Sequence, residues 1–411
     1  MNSINKLKIF NDPIYGFISI SNALLYDLIQ HPYFQRLRRI SQMGLTYLVY
    51  PGAHHTRFHH ALGCMHLMQK AIQTLRTKNV EISTEEENAL LIAILLHDIG
   101  HGPFSHAMEH SIVENIHHEH LSLLFMEQLN TEFNGKLSLA IQIFTGKYHR
   151  KFMLQLISSQ LDMDRMDYLR RDSFYSGVAE GNVNSERLIQ MLHVKNDVLV
   201  IEEKGVYSVE KFLMARRLMY WQAYLHKTSV VAELILTKIL KRAKELTNQG
   251  VVLNCSDPLQ FFLKNKITTD VFSASMLNTF SLLDDFDVMS AIKNWQFNSD
   301  FVLSSLSKMI INRDLLKIQM MKDKPSLKMI QEYKDAFQTI YGTTALETDY
   351  FVFKGKIKNQ AYNKETEPIT ILKKDETTED VAQANDQLSL KALSKPVTKY
   401  FFCFPKELMK S

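Results

Sequence analysis

The stretch HDIGHGPFSHAMEH (97–110) places four of the chain's 16 histidines within fourteen residues. It follows ALLIAILL (89–96), an apolar run of the kind that lies in a core. A histidine and an aspartate adjacent in sequence can both reach one ion when the helix end that carries them points into a cleft. Imidazole nitrogen combined with carboxylate oxygen suits Zn, Fe, Mn or Ni better than Ca or a structural thiolate site. A catalytic ion needs further protein ligands and open positions for water and substrate. Two regions offer them. HHTRFHHALG (54–63) carries His59 and His60, and LDMDRMDYLRRD (161–172) sets Asp162, Asp164 and Asp167 among Arg165, Arg170 and Arg171. Singly, an HD dipeptide arises by chance and an Asp/Arg cluster is more often a solvated face. The ordered set His, then His-Asp, then Asp is what carries weight.

Elements must hold these residues together. Ser83 and Thr84, followed by Glu86 and Glu87, make overlapping capping boxes that start a helix before the apolar run. That helix is expected to carry His97 and Asp98 in its last turn, with Gly100 and Gly102 stopping it. LKIF (7–10) and GFISI (16–20) flank Asn-Asp-Pro and read as a short hairpin. From about residue 20 to 330 the pattern is mostly helical, including one long helix expected over 209–246. After about 340, DYFVFKGKIKN, EPITILKK and VTKYFFCFPK read as strands, with one helix expected over 377–393. The expectation is a mainly α chain: a core over 1–245, a helical extension over 246–340, and a small α/β region over 341–411.

With 411 residues, 45% hydrophobic and 22% charged, the chain has ample material for a core. Its formal charge of +4 argues for neither nucleic acid nor a membrane surface. Cys64, Cys255 and Cys403 are odd in number and far apart, which fits reduced thiols. The N-terminus lacks the apolar core of a secretory signal, and no apolar run is long enough to span a membrane. The expected location is the cytoplasm.

In order along the chain stand FNDPIYG (10–16), YFQRLRRISQMG (33–44), YPGAHHTRFHHALG (50–63), LLHDIGHGPFSH (95–106), His118-Glu119 and DMDRMDYLRRD (162–172). This series resembles the HD-domain superfamily of metal-dependent phosphohydrolases, over roughly residues 5 to 245. Within it the chain is similar to the deoxynucleoside triphosphate triphosphohydrolase branch, which includes the enzyme with a sterile-alpha-motif domain. The guanosine-tetraphosphate hydrolases have Glu-Asp shortly after HD, where this chain has His101-Gly102. The Gly-Tyr-Pro element of the cyclic-dinucleotide branch does not occur.

The resemblance implies an HD-domain helical bundle and metal ligands at His60, His97, Asp98 and Asp164, with Asp162 and Asp167 in supporting contacts. It implies Fe, Mn, Zn or Ni at that site, and Mg with a triphosphate. Arg57, Arg165 and Arg216 match phosphate-gripping positions, and a guanidinium fork suits phosphate oxygens. His106 matches the residue that protonates the leaving 5′ oxygen, His101 and His118 match phosphate contacts, and Glu119 is expected to orient His118. Gln42, Met43, Tyr168, Asp172 and Tyr224 match the sugar and base pocket, with Tyr168 placed to exclude a 2′-hydroxyl. Met43 stands where the family has leucine, and Leu225 replaces a polar residue of similar enzymes, which leaves base preference open.

Relatives bind activating nucleotides at subunit contacts, and Lys8, Asn11, Gln35, Arg38 and Arg187 match such positions. The resemblance therefore implies an activating nucleotide and a homo-oligomer, dimer or tetramer. Gln30 stands where an acidic residue reads guanine, and glutamine cannot supply the same pair of acceptors. The leading expectation is hydrolysis of dNTPs to deoxynucleoside and tripolyphosphate. Two alternatives stand beside it: an HD phosphohydrolase for another ester, such as a monophosphate or a nucleic-acid end, and a catalytically silent nucleotide-binding module.

Overall fold

The computed structural model describes residues 8–109, 111–112, 116–267, 272–364, 367–384 and 394–409; the side chains of His106 and Glu109 fall outside this set. The fold is mainly helical, opens on a two-stranded hairpin and carries small sheets toward its C-terminus. In the hairpin, β1 (Lys8–Asp12) pairs antiparallel with β2 (Gly16–Ile20). The Asp12 carboxylate accepts from the Ile14 and Tyr15 amides, so it makes the turn itself.

Helix α1 (Ala23–Gln30) follows the hairpin. The core of the site is built from α2 (Arg57–Thr77), α3 (Thr84–Leu96), α4 (Ser105–Glu109), α5 (His118–Glu132) and α6 (Met163–Ser176). Every residue of ALLIAILL is buried. The Ser83 box that starts α3 is formed in full: Ser83 Oγ accepts from the Glu86 amide at 3.1 Å, and Glu86 accepts from the Ser83 amide at 2.8 Å. The helix ends at Leu96, one turn short of expectation, with His97 at its C-cap and Asp98 in the turn beyond. Gly100 is not the stop signal. A Cβ there would lie 2.2 Å from the His118 carbonyl oxygen and 2.3 Å from the Ser122 amide, so this glycine lets the HD turn press against α5.

The helix expected over 209–246 is two helices, α7 (Val206–Met219) and α8 (Lys227–Asn248). A π-helical turn over Tyr220–Tyr224 separates them, closed by the Leu225 amide on the Tyr220 carbonyl at 2.7 Å. His226 then caps α8 by accepting from the Thr228 amide. Tertiary bonds outweigh helical continuity here: Tyr224 donates to Asp172, and Tyr50 donates to the Gln222 carbonyl.

Two sheets tie the C-terminal region to what precedes it. β3 (Leu192–Lys195), β4 (Val198–Glu202), β7 (Thr370–Leu372) and β8 (Thr378–Asp380) form one, with β4 parallel to β7 at Val200↔Thr370. β5 (Lys317–Met321), β9 (Val397–Phe404) and β6 (Phe353–Asn359) form the other in that order. The helical extension expected over 246–340 thus contributes a strand. Where one helix was expected over 377–393, the chain forms β8 and a four-residue helix, Val381–Ala384; residues 385–393 lie outside the described set. Asp380 turns the chain there by accepting from the Ala382 amide.

Glu86 supports both a helix start and a long-range tie, since Arg150 and Tyr148 also donate to it at 2.9 Å each. Burial opposes its charge, but the Ser83 amide, Arg150 and Tyr148 outweigh burial and hold its pKa below the ordinary 4.5. A depressed folded-state pKa stabilises the fold above 4.5 and loses that contribution as pH falls through the folded value. Glu86→Gln is expected to cost about 1–2 kcal/mol at neutral pH. Urea unfolding should show this gap shrinking as pH falls below 4.5; a gap that stays constant as the pH is lowered contradicts the assignment.

Candidate metal centre and substrate cavity

Three elements bring the four expected metal ligands to one point. His60 comes from the first turn of α2, His97 and Asp98 from the end of α3, and Asp164 from the first turn of α6. His60 Nε2 lies 3.1 Å from Asp164 Oδ1 and 3.7 Å from Asp98 Oδ2. His97 Nε2 lies 3.5 Å from Asp98 Oδ1 and 3.6 Å from Asp164 Oδ1. All of these atoms therefore surround one small volume.

The orientation of both rings is fixed from behind. His60 Nδ1 is 2.8 Å from Asp167 Oδ2, and His97 Nδ1 is 2.6 Å from the Ile94 carbonyl oxygen. Each ring thereby donates from Nδ1 and turns Nε2 inward, as a metal-binding histidine does. His97 Nε2 is buried and makes no hydrogen bond among the described residues, leaving a lone pair that a cation satisfies. The donor set, two imidazoles and two carboxylates, fits a divalent transition metal.

A second buried donor, Cys64 Sγ, lies 3.6 Å from His60 Nε2, near enough to be grouped with His60, His97 and Asp164. We favour Asp98 over Cys64 as the fourth ligand. Asp98 faces the inward nitrogens of both histidines, at 3.7 and 3.5 Å, whereas Cys64 Sγ lies nearer His60 Nδ1, at 3.4 Å, than Nε2. Burial opposes the Asp98 charge, but His97, His101 and Arg57 outweigh it and keep its pKa well below the ordinary range. The Asp164 carboxyl is lowered in the same way by His60 and His97. Burial opposes charge on His60 too, but Cys64, Asp164 and Asp167 raise its pKa well above 6.5. The carboxylates that do this are the same charges that attract a cation.

Behind Asp167 runs a chain of buried charges. Arg171 donates to Asp167 from Nε and Nη2 at 2.8 and 2.9 Å, and from Nη1 to Asp12 at 2.8 Å. The Asp-Pro turn of the hairpin is thus wired to the metal ligand His60. Gly63 permits this: a Cβ there would fall 2.0 Å from Asp167 Oδ1. Asp162 instead caps α6, accepting from the Arg165 and Ser159 amides.

A cavity of about 480 Å³ opens from the cluster. Of the expected residues, Gln42, Met43, Arg57, Asp98, His101, His118, Asp164, Arg165, Tyr168, Asp172 and Tyr224 line it. Arg57 Nη1 is 2.6 Å from Asp98 Oδ2, between cluster and cavity. The His101 and His118 rings stack at 3.8 Å, and His101 holds Ser105 Oγ at 2.6 Å. Burial, with Arg57, pushes His101 down to about 3. Also in the lining, Tyr224 meets both Tyr168 and Tyr220 edge to face and donates to Asp172 at 2.7 Å.

Arg216 does not line the cavity, but its guanidinium lies 6.0 Å from the Tyr220 ring, with Nε and Nη1 buried and unpartnered among the described residues. Glu119 is exposed and away from the cavity wall. The His106 side chain lies outside the described set. The positions expected to meet an activating nucleotide lie at or near the surface. Lys8 sits over the Tyr26 ring, Asn11 is exposed, and Arg38 stacks on Phe58 and donates to Gln35. Arg187 donates to Ser208 and to the Lys204 carbonyl. Gln30 is exposed, and Leu225 follows the π turn outside the cavity lining.

Sequence reasoning missed His55, Tyr220, Phe104 and Asp285. His55 is buried, stacked on Tyr175 and 2.6 Å from Asp172 Oδ1. Its place in HHTRFHH was the available signal. Asp285 gave none, being more than a hundred residues from the motifs it touches.

Comparisons with known proteins place this geometry. The family description "HD domain" matches residues 57–172, and "HD associated region" matches residues 183–256. The crystal structure of a phosphohydrolase from Bacteroides thetaiotaomicron is 50% identical and superposes with a TM-score of 0.94, over 97% of this chain and 100% of that one. The Bacillus subtilis protein YwfO is 36% identical over 324 residues, 76% of this chain and 72% of that protein. The deoxynucleoside triphosphate triphosphohydrolase SAMHD1 homologue of Dictyostelium discoideum is 29% identical over 278 residues, and the match spans 54% of its length. With the metal-ligand pattern assembled inside the matched segment, the chain belongs to the HD-domain phosphohydrolase family.

Proposed function

We propose that the protein is a metal-dependent dNTP triphosphohydrolase, releasing deoxynucleoside and tripolyphosphate. One observation carries the reading: a single cavity joins the His/Asp cluster and its arginines to a wall of three tyrosines. Its volume falls in the roughly 300–1,000 Å³ range of small-molecule sites. A ligand with several phosphates at one end and a flat, largely apolar group at the other suits that polarity. The likeness to the triphosphohydrolase of Dictyostelium supports the same substrate class.

In this reading His60, His97, Asp98 and Asp164 hold a divalent Fe, Mn, Zn or Ni ion. Such an ion supplies Lewis-acid charge neutralisation and lowers the pKa of water bound to it. Arg57 and Arg165 grip phosphate oxygens, and Mg accompanies the triphosphate. Arg216 brings buried N–H groups that an anionic ligand would satisfy. His101 and His118, stacked as a pair, contact phosphate at the cavity side of Asp98. We assign His106 to protonating the leaving 5′ oxygen. Tyr168 packs beneath the sugar and excludes a 2′-hydroxyl, while Gln42, Met43, Asp172 and Tyr224 orient sugar and base. Lys8, Asn11, Gln35, Arg38 and Arg187 form the activator face of a homo-oligomer. No helix among the described residues is long and apolar enough to cross a membrane, and the three cysteines are free thiols, which supports a reducing cytoplasm.

The test is chromatography of products after incubation with Mn²⁺, Fe²⁺ or Mg²⁺ and each dNTP and NTP, singly and mixed. Deoxynucleoside plus tripolyphosphate is expected, and turnover in mixtures alone would establish activation. Phosphate or pyrophosphate as the product points instead to another HD phosphohydrolase. Asp98→Ala is expected to abolish metal binding, read by elemental analysis, and turnover, while far-ultraviolet circular dichroism stays native. Arg216→Ala should lower kcat/KM by roughly 10- to 100-fold through loss of charge-assisted phosphate bonds; an unchanged value removes Arg216 from the site.

A further inference from the structure

Two segments that line the cavity as its lips are bonded to the HD core, through the Gln42 amide on the His55 carbonyl and through Ser105 on His101, and each is also held from outside that core. One is the loop Ser41–Leu45, and the other is the end of the HD turn at Phe104 and Ser105; both line the cavity. Phe104 adopts a left-handed backbone conformation at φ 44°, which a bulky residue keeps only when its surroundings enforce it.

Both lips are tied to one junction, far away in sequence and beyond both matched family segments. Helix α9 (Ala274–Phe280) leads through Leu283 into α10 (Asp285–Trp295). Asp285 Oδ2 accepts from the Ser41 amide at 2.8 Å, and Oδ1 accepts from the Phe104 amide at 3.3 Å. Its carboxylate is not needed to start the helix. Asp284 is the N-cap, accepting from the Phe286 amide and sharing a capping box with Asp287. The junction is secured on either side: Arg39 pairs with Asp284, and fully buried Arg36 donates to the carbonyls of Leu283 at 3.3 Å and Ile99 at 2.7 Å. Phe280 fills the space in front of Gly102, where a Cβ would come within 3.0 Å of its ring. A nearly buried carboxylate costs free energy unless its hydrogen bonds are used, and here both oxygens are spent on the two lips.

We propose that Asp285 is a positioning residue for substrate: one carboxylate fixes the spacing of the two lips of the cavity and holds Phe104 in its strained conformation. It touches none of the metal ligands, so its effect is on the binding of the nucleotide and not on the ion. The substrate part of this inference rests on the proposed dNTP reading; the clamp itself does not.

The experiment compares the full-length protein with Asp285→Asn, which keeps the size but replaces one acceptor by a donor. Hydrogen exchange followed by mass spectrometry should quicken about tenfold in peptides containing Ser41 and Phe104, with α3 and α6 unchanged. Metal content should be unaltered, and KM for dATP should rise about tenfold while kcat stays within about twofold. Unchanged exchange at either lip overturns the clamp, whatever the substrate proves to be. Altered exchange with an unaltered KM overturns the positioning role. If the wild type hydrolyses no dNTP, singly or in mixtures, the proposed function fails while the exchange result still decides the clamp. Should Asp285→Asn not fold, Asp285→Glu keeps the charge and moves it by one methylene; protection must then fall at one lip at least, and full protection at both overturns the proposal.

Discussion

A histidine presents a bare nitrogen to an ion only while its other nitrogen is held, and the site depends on how His60 is held. Asp167 grips Nδ1, Arg171 grips Asp167 with two parallel bonds, and Asp12 completes the arginine from the hairpin. All of these groups are buried. Removing one partner from such a network strands a charge, at a cost of about 3–5 kcal/mol. The hairpin, α2 and α6 are thereby locked in one geometry, and that geometry turns His60 Nε2 toward Asp98 and Asp164. The fold and the metal centre share the same bonds.

The cavity brings charged and aromatic groups together. Asp98 and Asp164 are kept ionised near the cluster, and Arg57 lies against Asp98 in the absence of a competing anion. The same lining carries Tyr168 and Tyr224, whose hydroxyls burial keeps protonated beside Arg165 and Asp172. The proposed nucleotide reading draws on both kinds of group, because low dielectric strengthens each interaction with phosphate while a base and sugar bind by contact area.

Much of this was legible in the sequence. HDIGHGPFSH, HHALG and the Asp-rich segment pointed to the His/Asp cluster through their resemblance to the HD family, and the fold brings His60, His97, Asp98 and Asp164 within reach of one another. The Ser83 box was legible because capping is local. What the sequence did not disclose is tertiary. The π turn at Tyr220–Tyr224 breaks a stretch with unbroken helical periodicity, since bonds from Tyr224 to Asp172 and from Tyr50 to Gln222 hold the distortion. Gly100 read as a stop signal, while its function is close approach to α5. β5 reads as helix in a helical neighbourhood and becomes a strand because β9, eighty residues on, pairs with it. Asp285 lies in an unremarkable acidic run, and only the fold brings it to Ser41 and Phe104.

The central claim is that one ion sits among His60, His97, Asp98 and Asp164, with Cys64 outside its coordination shell. Anomalous diffraction from crystals grown with Mn²⁺, Fe²⁺ or Zn²⁺, recorded on both sides of the metal edge, tests it directly. The account predicts a single strong peak within coordination distance of both Nε2 atoms and of an oxygen from each aspartate. A peak bonded to Cys64 Sγ in place of Asp98, or none at the cluster under saturating metal, would contradict it.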